Sequence, residues 1–326
     1  MAEKNMNPFR RKKIYVAGHN GMAGSAILRN LAEGGYRNII IKDSRNLDLR
    51  NQCETEKFIK DEKPEVIIIA AAKVGGIQAN NIYRGEFLYD NIMIAANIIN
   101  SAYKYGVEKL IFLGSSCIYP KNAAQPIKEE ELLNGRLEYT NEPYAISKIA
   151  GIKMCENYYR QYGCNFISIM PCNLYGPNDN YDLNNSHVLP ALIRKFHNAA
   201  KAKDNSVVIW GTGMPEREFL YVDDLASAVR FMLENIDAKD ISDSGISHIN
   251  AGYGKDITIR HLAELITAIT DYKGDLIFDS SKPDGTQKKL MDSTRINKLG
   301  WRAKTNLEEG ISKTYKWFKE HYSADN

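Results

Sequence analysis

Lys13-Ile14-Tyr15-Val16-Ala17-Gly18-His19-Asn20-Gly21-Met22-Ala23-Gly24-Ser25 is an apolar strand, a glycine turn and the start of a helix that runs on toward Ala32. Glycines at Gly18, Gly21 and Gly24 let the backbone turn tightly and approach a pyrophosphate, and the helix start offers free N–H groups to it. A glycine motif alone is weak; one set directly behind a first strand points to a dinucleotide. Working outward, Asn38–Ile41, Val66–Ala72, Leu110–Leu113 and Phe166–Met170 are further short apolar runs. Helical stretches, such as Tyr89–Gly106 and Tyr144–Tyr162, alternate with them. Near-continuous apolar strands alternating with helices predict an α/β doubly wound parallel sheet. Behind the second strand, Lys42, Asp43, Ser44 and Arg45 carry both signs: an acid suits the ribose of NAD, a base the 2′-phosphate of NADP. Two bases against one acid favour NADP(H).

The texture changes after Met170. Pro171–Pro177 is turn-rich, Asn178–Ser186 is polar, Val188–Lys203 reads as a helix, and Val207–Trp210 as a strand. Arg217–Asp224 reads as a lead into a helix, and Ser247–Ala251 as a strand returning to the main sheet. A helix from Ile257, a strand at Leu276–Phe278 and an amphipathic helix over Leu307–His321 follow. The expected division is 1–175, joined by about 218–253, for the dinucleotide. Residues 176–217 and 254–326 form a smaller, discontinuous α+β substrate domain closing a cleft over the sheet.

The bulk composition excludes several classes. A net charge of +3 over 326 residues, with no basic block, does not suggest nucleic acid. No apolar run approaches the ~20 residues of a membrane span. The lead-in Met1–Lys13 is polar and basic, read as disordered and unlike a signal peptide. Cys53, Cys117, Cys155, Cys164 and Cys172 form no CxxC pair, so no metal site is expected and a reducing cytoplasm is.

Leu113-Gly114-Ser115-Ser116-Cys117, at the end of the fourth strand, carries the chemistry together with Tyr144 and Lys148. Four apart on a helix, Tyr144 and Lys148 share a face. A neighbouring ammonium is expected to lower the phenol from its usual ~10, so that Tyr144 can exchange a proton with a carbinol oxygen held by a serine. The same spacing at Tyr105/Lys109 and Tyr315/Lys319 lacks the preceding strand and reads as surface or packing. A thiol titrating near ~8.5 can serve as a base toward an acidic C–H bond, and a histidine near ~6.5 can return the proton.

Taken in order, KVGGI, LGSSCIYPK, TNEPYAISKIAGIK, NLYGPNDN, NSHVLPAL, REFLYVDD, SHIN and SKPDGT resemble the extended short-chain dehydrogenase/reductase family. The likeness is to its 3,5-epimerase–4-reductases of GDP-4-keto-6-deoxymannose, and it runs from about Lys13 to the last helix. It implies Ser115, Tyr144 and Lys148 as the reductase triad and Cys117 and His187 as base and acid of epimerisation. NADP(H) would lie on Gly18, Asn20, Gly21, Met22, Ala23, Gly24, Ser44, Arg45, Leu49, Ala71 and Ala72. Its nicotinamide side would meet Leu113–Ser116, Tyr144, Lys148, Pro171, Cys172, Asn173, Leu174 and His187. Lys195, Trp210, Arg217 and Asp284 would hold the GDP-sugar. The resemblance also implies a homodimer through a four-helix bundle of Tyr89–Gly106 and Tyr144–Tyr162, with no nucleic acid and no membrane as partners. The implied product is GDP-L-fucose.

Three positions depart from the family pattern. Asn20 stands where a base is frequent, and Ser44-Arg45 moves the 2′-phosphate arginine by one place. Lys195 replaces a common arginine and cannot offer a bidentate fork. The alternatives are a C4 reductase without epimerisation, acting on a GDP-4-keto-heptose for surface polysaccharide; a dehydratase or 4-epimerase, which would carry a serine or threonine pair and lack the Cys/His pair; and a non-catalytic dinucleotide sensor.

Overall fold

The computed structural model describes residues 7–183, 186–242, 245–282 and 284–322. Of the polar lead-in, Met1–Met6 lie outside the described residues. Pro8–Arg11 form a 3-10 turn, and Phe9 packs on the first core with the Lys109 ammonium over its ring.

The first half alternates as expected: β1 (Ile14–Ala17), α1 (Met22–Glu33), β2 (Ile39–Ile40), α2 (Gln52–Glu62), β3 (Val66–Ile69), α3 (Ile77–Ile82), α4 (Arg84–Lys104), β4 (Lys109–Leu113), α5 (Glu142–Tyr162) and β5 (Phe166–Pro171). The rest runs β6 (Asn173–Tyr175), α6 (Val188–Ala202), β7 (Ser206–Trp210), β8 (Glu216–Tyr221), α7 (Val222–Asn235), α8 (Ala238–Ser242), β9 (Ile249–Ala251), β10 (Asp256–Thr258), α9 (Ile259–Thr270), β11 (Asp275–Asp279), β12 (Lys288–Lys289), α10 (Thr294–Leu299) and α11 (Leu307–His321).

Among the described residues the main sheet has six parallel strands, in the order β2-β1-β3-β4-β5-β9. β1, β3, β4 and β5 are buried along their whole lengths, which is why their sequences lack polar alternation. α1 packs with α7, while α4 packs with α2 and α5. From β1 the chain steps outward to β2, then crosses back to β3 on the other side. That reversal opens a crevice at the carboxyl ends of β1 and β3, where such sheets bind ligands.

The expected strand Val66–Ala72 ends at Ile69, because Ala70–Ala72 turn away as the loop lining this crevice. Arg217–Asp224 does lead into a helix, α7 from Val222, but the lead-in itself belongs to strand β8. It pairs with β6, β10 and β12, long-range contacts that local sequence does not carry. A second core forms around Tyr181, Leu192, Ile193, Phe196, Leu262, Ile266 and Ile311, with the parallel pair β7–β11 beside it. Met291, Ile296 and Trp301 return to the first core.

Candidate active site

Two glycines shape the crevice floor. Gly18 holds φ +84°, and a Cβ there would lie 2.5 Å from the Ala71 amide nitrogen. At Gly24, a Cβ would lie 2.1 Å from the Gly18 carbonyl oxygen. The turn and α1 can therefore lie this close only without side chains. At Gly21, the N-cap of α1, a Cβ would make only an ordinary contact, 3.5 Å from the Gly18 carbonyl oxygen, and no side chain caps the helix. The first N–H groups of α1 stay free for an anion. Asn20 is exposed at the lip of the turn, while Met22 and Ala23 pack partly against the core. Across the crevice, Ala71 and Ala72 are half-buried, and Leu49 packs on the first core. Asn91 fastens the next residue of that loop: it accepts the Lys73 N–H at 2.7 Å and donates to the Lys73 carbonyl at 3.0 Å.

Behind β2, the Asp43 carboxylate accepts the backbone N–H groups of Arg45 at 2.9 Å and Asn46 at 3.1 Å. Desolvation works the other way, but these N–H groups hold the Asp43 carboxyl below its ordinary range. The acid is thus committed to its own loop, while the Arg45 side chain is 90% exposed and Ser44 is exposed beside it. An NADP 2′-phosphate fits this arrangement better than a ribose hydroxyl seeking a free carboxylate.

At the end of β4, Ser115 caps the 3-10 turn Ser116–Ile118, its hydroxyl accepting the Cys117 N–H at 3.3 Å. Tyr144 stands in the first turn of α5, just after Pro143, and the Ser115 side chain acts on its hydroxyl. Lys148 follows one helical turn later, buried, donating to the Leu113 carbonyl at 2.8 Å. Its ammonium lies 4.9 Å from the centre of the Phe112 ring and 5.7 Å from that of Tyr144. The expected lowering of the Tyr144 phenol is corrected. Desolvation, then the charge of Cys117, pushes it up, and the Ser115 side chain only partly opposes them. Burial also pulls Lys148 down to about 8. Enclosure costs the phenolate more than its neighbours return, so Tyr144 rests protonated.

Cys117 is half-buried beside this set; its charge acts on both Tyr144 and Lys148. Asn141, at the N-cap of α5, donates from Nδ2 to the Cys117 sulfur at 3.3 Å. His187 is the N-cap residue of α6. Its side chain keeps an exposed face, yet desolvation by the surrounding protein lowers its imidazole. No hydrogen bond joins His187 to Cys117 or Tyr144 among the described residues. Pro171 ends β5 beside Ala251 of β9; Cys172 is buried and Leu174 half-buried. Asn173 donates to the Glu218 carbonyl at 2.8 Å.

The outer part of the site is open. Trp210 is 60% exposed, and the Lys195 and Lys282 ammoniums lie 5.7 Å and 5.6 Å from its ring centre. Arg217 is half-buried, its guanidinium lowered by desolvation and supported by Asp284. The Asp284 carboxylate itself accepts the Thr212 N–H at 2.7 Å and hydroxyl at 2.9 Å, so it braces the loop behind β7.

Sequence reading missed Asn141, Lys282 and Asn91. Lys282 lay in the quoted SKPDGT motif, and Asn141 in TNEPY, where an asparagine before a helix reads as an ordinary cap. The other YxxxK pairs are otherwise engaged. Tyr105 bonds Glu56, buried Lys109 donates to the Leu233 carbonyl, and Tyr315 bonds His197.

The family model for the NAD dependent epimerase/dehydratase family matches residues 14–252. Over 306 residues, 94% of this chain and 93% of the relative, the chain is 54% identical to GDP-L-fucose synthase 1 of Arabidopsis thaliana. Among solved structures it is similar to a GDP-6-OMe-4-keto-L-xylo-heptose reductase from Campylobacter jejuni, with 41% identity, TM-score 0.91, and 95% and 98% of the two chains covered. It is also similar to a GDP-mannoheptose C4 reductase from the same organism with NADP bound, with 42% identity, TM-score 0.88, and 95% and 99% covered.

Proposed function

The chain belongs to the NAD dependent epimerase/dehydratase family, and from that membership and the site above we infer that it epimerises GDP-4-keto-6-deoxy-D-mannose at C3 and C5 and reduces C4, giving GDP-L-fucose. It is an NADP-dependent oxidoreductase. The observation that carries this reading is the convergence of Cys117 with Ser115, Tyr144 and Lys148 at one strand end, in a chain so similar to a GDP-L-fucose synthase.

The C4 ketone acidifies the hydrogens on C3 and C5. Cys117 removes them, their electron pairs pass into the enolate, and His187 returns a proton from the other face. NADPH, when bound, supplies the hydride. Tyr144, resting protonated, gives its proton to the C4 oxygen; Ser115 aims the hydroxyl, and Lys148 offsets charge left on the tyrosine. Arg217, Lys195 and Trp210 take the nucleotide end. The heptose reductases among the similar structures favour a second reading, C4 reduction of a GDP-4-keto-heptose without epimerisation. Incubation with GDP-4-keto-6-deoxy-mannose in heavy water without NADPH separates the two. Deuterium should enter C3 and C5; C4 reduction with no exchange would replace the epimerase by the reductase.

The division proposed for the chain is 1–175 with 218–253 for the dinucleotide and 176–217 with 254–326 for the sugar nucleotide, residues 291–301 packing back on the first part. The outer faces of α3, α4 and α5 expose Ile82, Tyr89, Tyr103, Ile146 and Tyr162, and the proposed homodimer buries them. A single-chain mass by light scattering at micromolar concentration would count against it. Free cysteines suit a reducing cytoplasm. No helix of the described residues is long and apolar enough to cross a membrane.

A further inference from the structure

Asn141 occupies the N-cap of α5, where an asparagine usually accepts an N–H of the first helical turn. Here its side chain makes no such bond. Its Nδ2 donates to the Cys117 sulfur at 3.3 Å, while its Oδ1 is buried without a partner among the described residues. The residue forgoes the cap and leaves a buried acceptor unpaired, each of which costs stability. Local rules are broken in this way where a site requires it.

The segment is also held firmly. Asn141 closes the 3-10 turn Tyr139–Asn141. Arg84 of α4 donates to the Tyr139 carbonyl at 2.8 Å, lies 4.2 Å from the Tyr139 ring centre and pairs with Glu142 at 3.5 Å. Tyr144 follows directly on the same backbone. The amide donor to the sulfur and the phenol donor to the C4 oxygen are therefore carried by one clamped stretch.

We propose that Asn141 is a positioning residue for epimerisation: its amide fixes the Cys117 sulfur toward the sugar and stabilises the thiolate that takes the C3 and C5 protons. The inference rests on the epimerase reading above. When the thiolate accepts a proton, the amide remains as a weak donor to neutral sulfur, so its bond is strongest in the base form. The charge of the sulfur acts in turn on Tyr144 and Lys148, both on α5.

The test follows the sulfur and the sugar separately. Iodoacetamide labelling of Cys117, read by peptide mass spectrometry from pH 6 to 10, gives the pH midpoint of its reactivity. Losing a hydrogen bond to a charged group should move that midpoint up by about one unit in Asn141→Ala. In Asn141→Asp it should move further, because a carboxylate opposes the thiolate. Deuterium exchange from GDP-4-keto-6-deoxy-mannose at pH 7 should fall roughly tenfold in Asn141→Ala, matching that shift. Oxidation of GDP-L-fucose by NADP+, which needs no base at C3 or C5, should fall by much less. An unmoved midpoint in both variants overturns the proposal. So does an equal loss of exchange and oxidation, which marks simple damage to α5. If the wild type exchanges no deuterium, the epimerase reading fails, while the labelling midpoint still decides what Asn141 does to the sulfur. Should Asn141→Ala not fold, Asn141→Asp and Asn141→Ser carry the same measurements.

Discussion

Cys117 and Tyr119 are two residues apart on one short turn, yet they face opposite kinds of polar surroundings. Tyr119 enters a closed network. Its hydroxyl donates to Asn250 Oδ1 and meets His248 Nε2 at 2.8 Å, and the Ser247 hydroxyl meets His248 Nδ1 at 3.2 Å. Asn250 in turn donates from Nδ2 to the Ile127 carbonyl at 3.0 Å and from its backbone to Glu129 at 3.0 Å; Glu129 accepts Arg295 at 3.1 Å. A proton on Nε2 of His248 satisfies the whole chain of bonds. Cys117, by contrast, faces a phenol pushed up, an ammonium pulled down and an amide with its oxygen unpaired. A finished network fixes the fold; an unfinished one keeps its remaining interactions for the substrate.

The largest effects should separate the two regions cleanly. Tyr144→Phe removes the proton donor at C4, and general acid catalysis of this kind contributes ~10²–10⁴-fold, so reduction should fall about a thousandfold. Exchange at C3 and C5 should persist, and the melting temperature should hold or rise, since the lost hydroxyl was costly to bury. Cys117→Ser should do the reverse, slowing exchange about a hundredfold because a serine hydroxyl is a far weaker base than a thiolate. If either variant melts markedly lower, the cleft is also structural and the contrast weakens.

Asn250→Ala strikes the other side. It removes the acceptor of the Tyr119 hydroxyl and the donor to the Ile127 and Asp292 carbonyls in a buried site, at about 1 kcal/mol for each bond lost. Urea melts should show a loss of roughly 3 kcal/mol. The turnover of the folded fraction should stay within about twofold. Normal stability with lost turnover would make this network part of the site.

The legible parts of the molecule were those set by local pattern. The strand–glycine–helix opening and the Ser115/Tyr144/Lys148 arrangement were readable, because buried strands and tight turns leave composition signals. β8 was missed as a strand because its partners β6, β10 and β12 lie far away in sequence. The sign of the Tyr144 shift was misread because spacing shows a neighbouring charge and hides how deeply the pair is enclosed. Asn141 was invisible as a partner of Cys117, since a cap and a sulfur donor look alike in sequence. His248 and Asn250 lay in the quoted SHIN motif and Tyr119 in LGSSCIYPK, but nothing in either stretch shows that they pair.

The smallest prediction tests the closed network through pH. Burial, reinforced by the charges of Lys153 and Arg295, pushes His248 down to about 3. An unfolded histidine titrates near ~6.5. Between these values the unfolded chain binds a proton that the folded chain refuses, so this group's contribution to stability falls as pH drops below 6.5. From pH 7 to pH 5.5 the linkage amounts to about 1 kcal/mol. The absolute curve would mislead, because buried Asp179 is pushed up by desolvation to about 7 and works in the opposite direction over the same range. His248→Gln removes the titrating group and keeps an amide able to donate to Tyr119 and accept from Ser247. The gap between wild-type and variant stabilities, from urea melts, should therefore shift by about 1 kcal/mol against the wild type between pH 7 and pH 5.5. Parallel curves would mean that His248 accepts its proton without opening the network, and the closed side would then be as unfinished as the cleft.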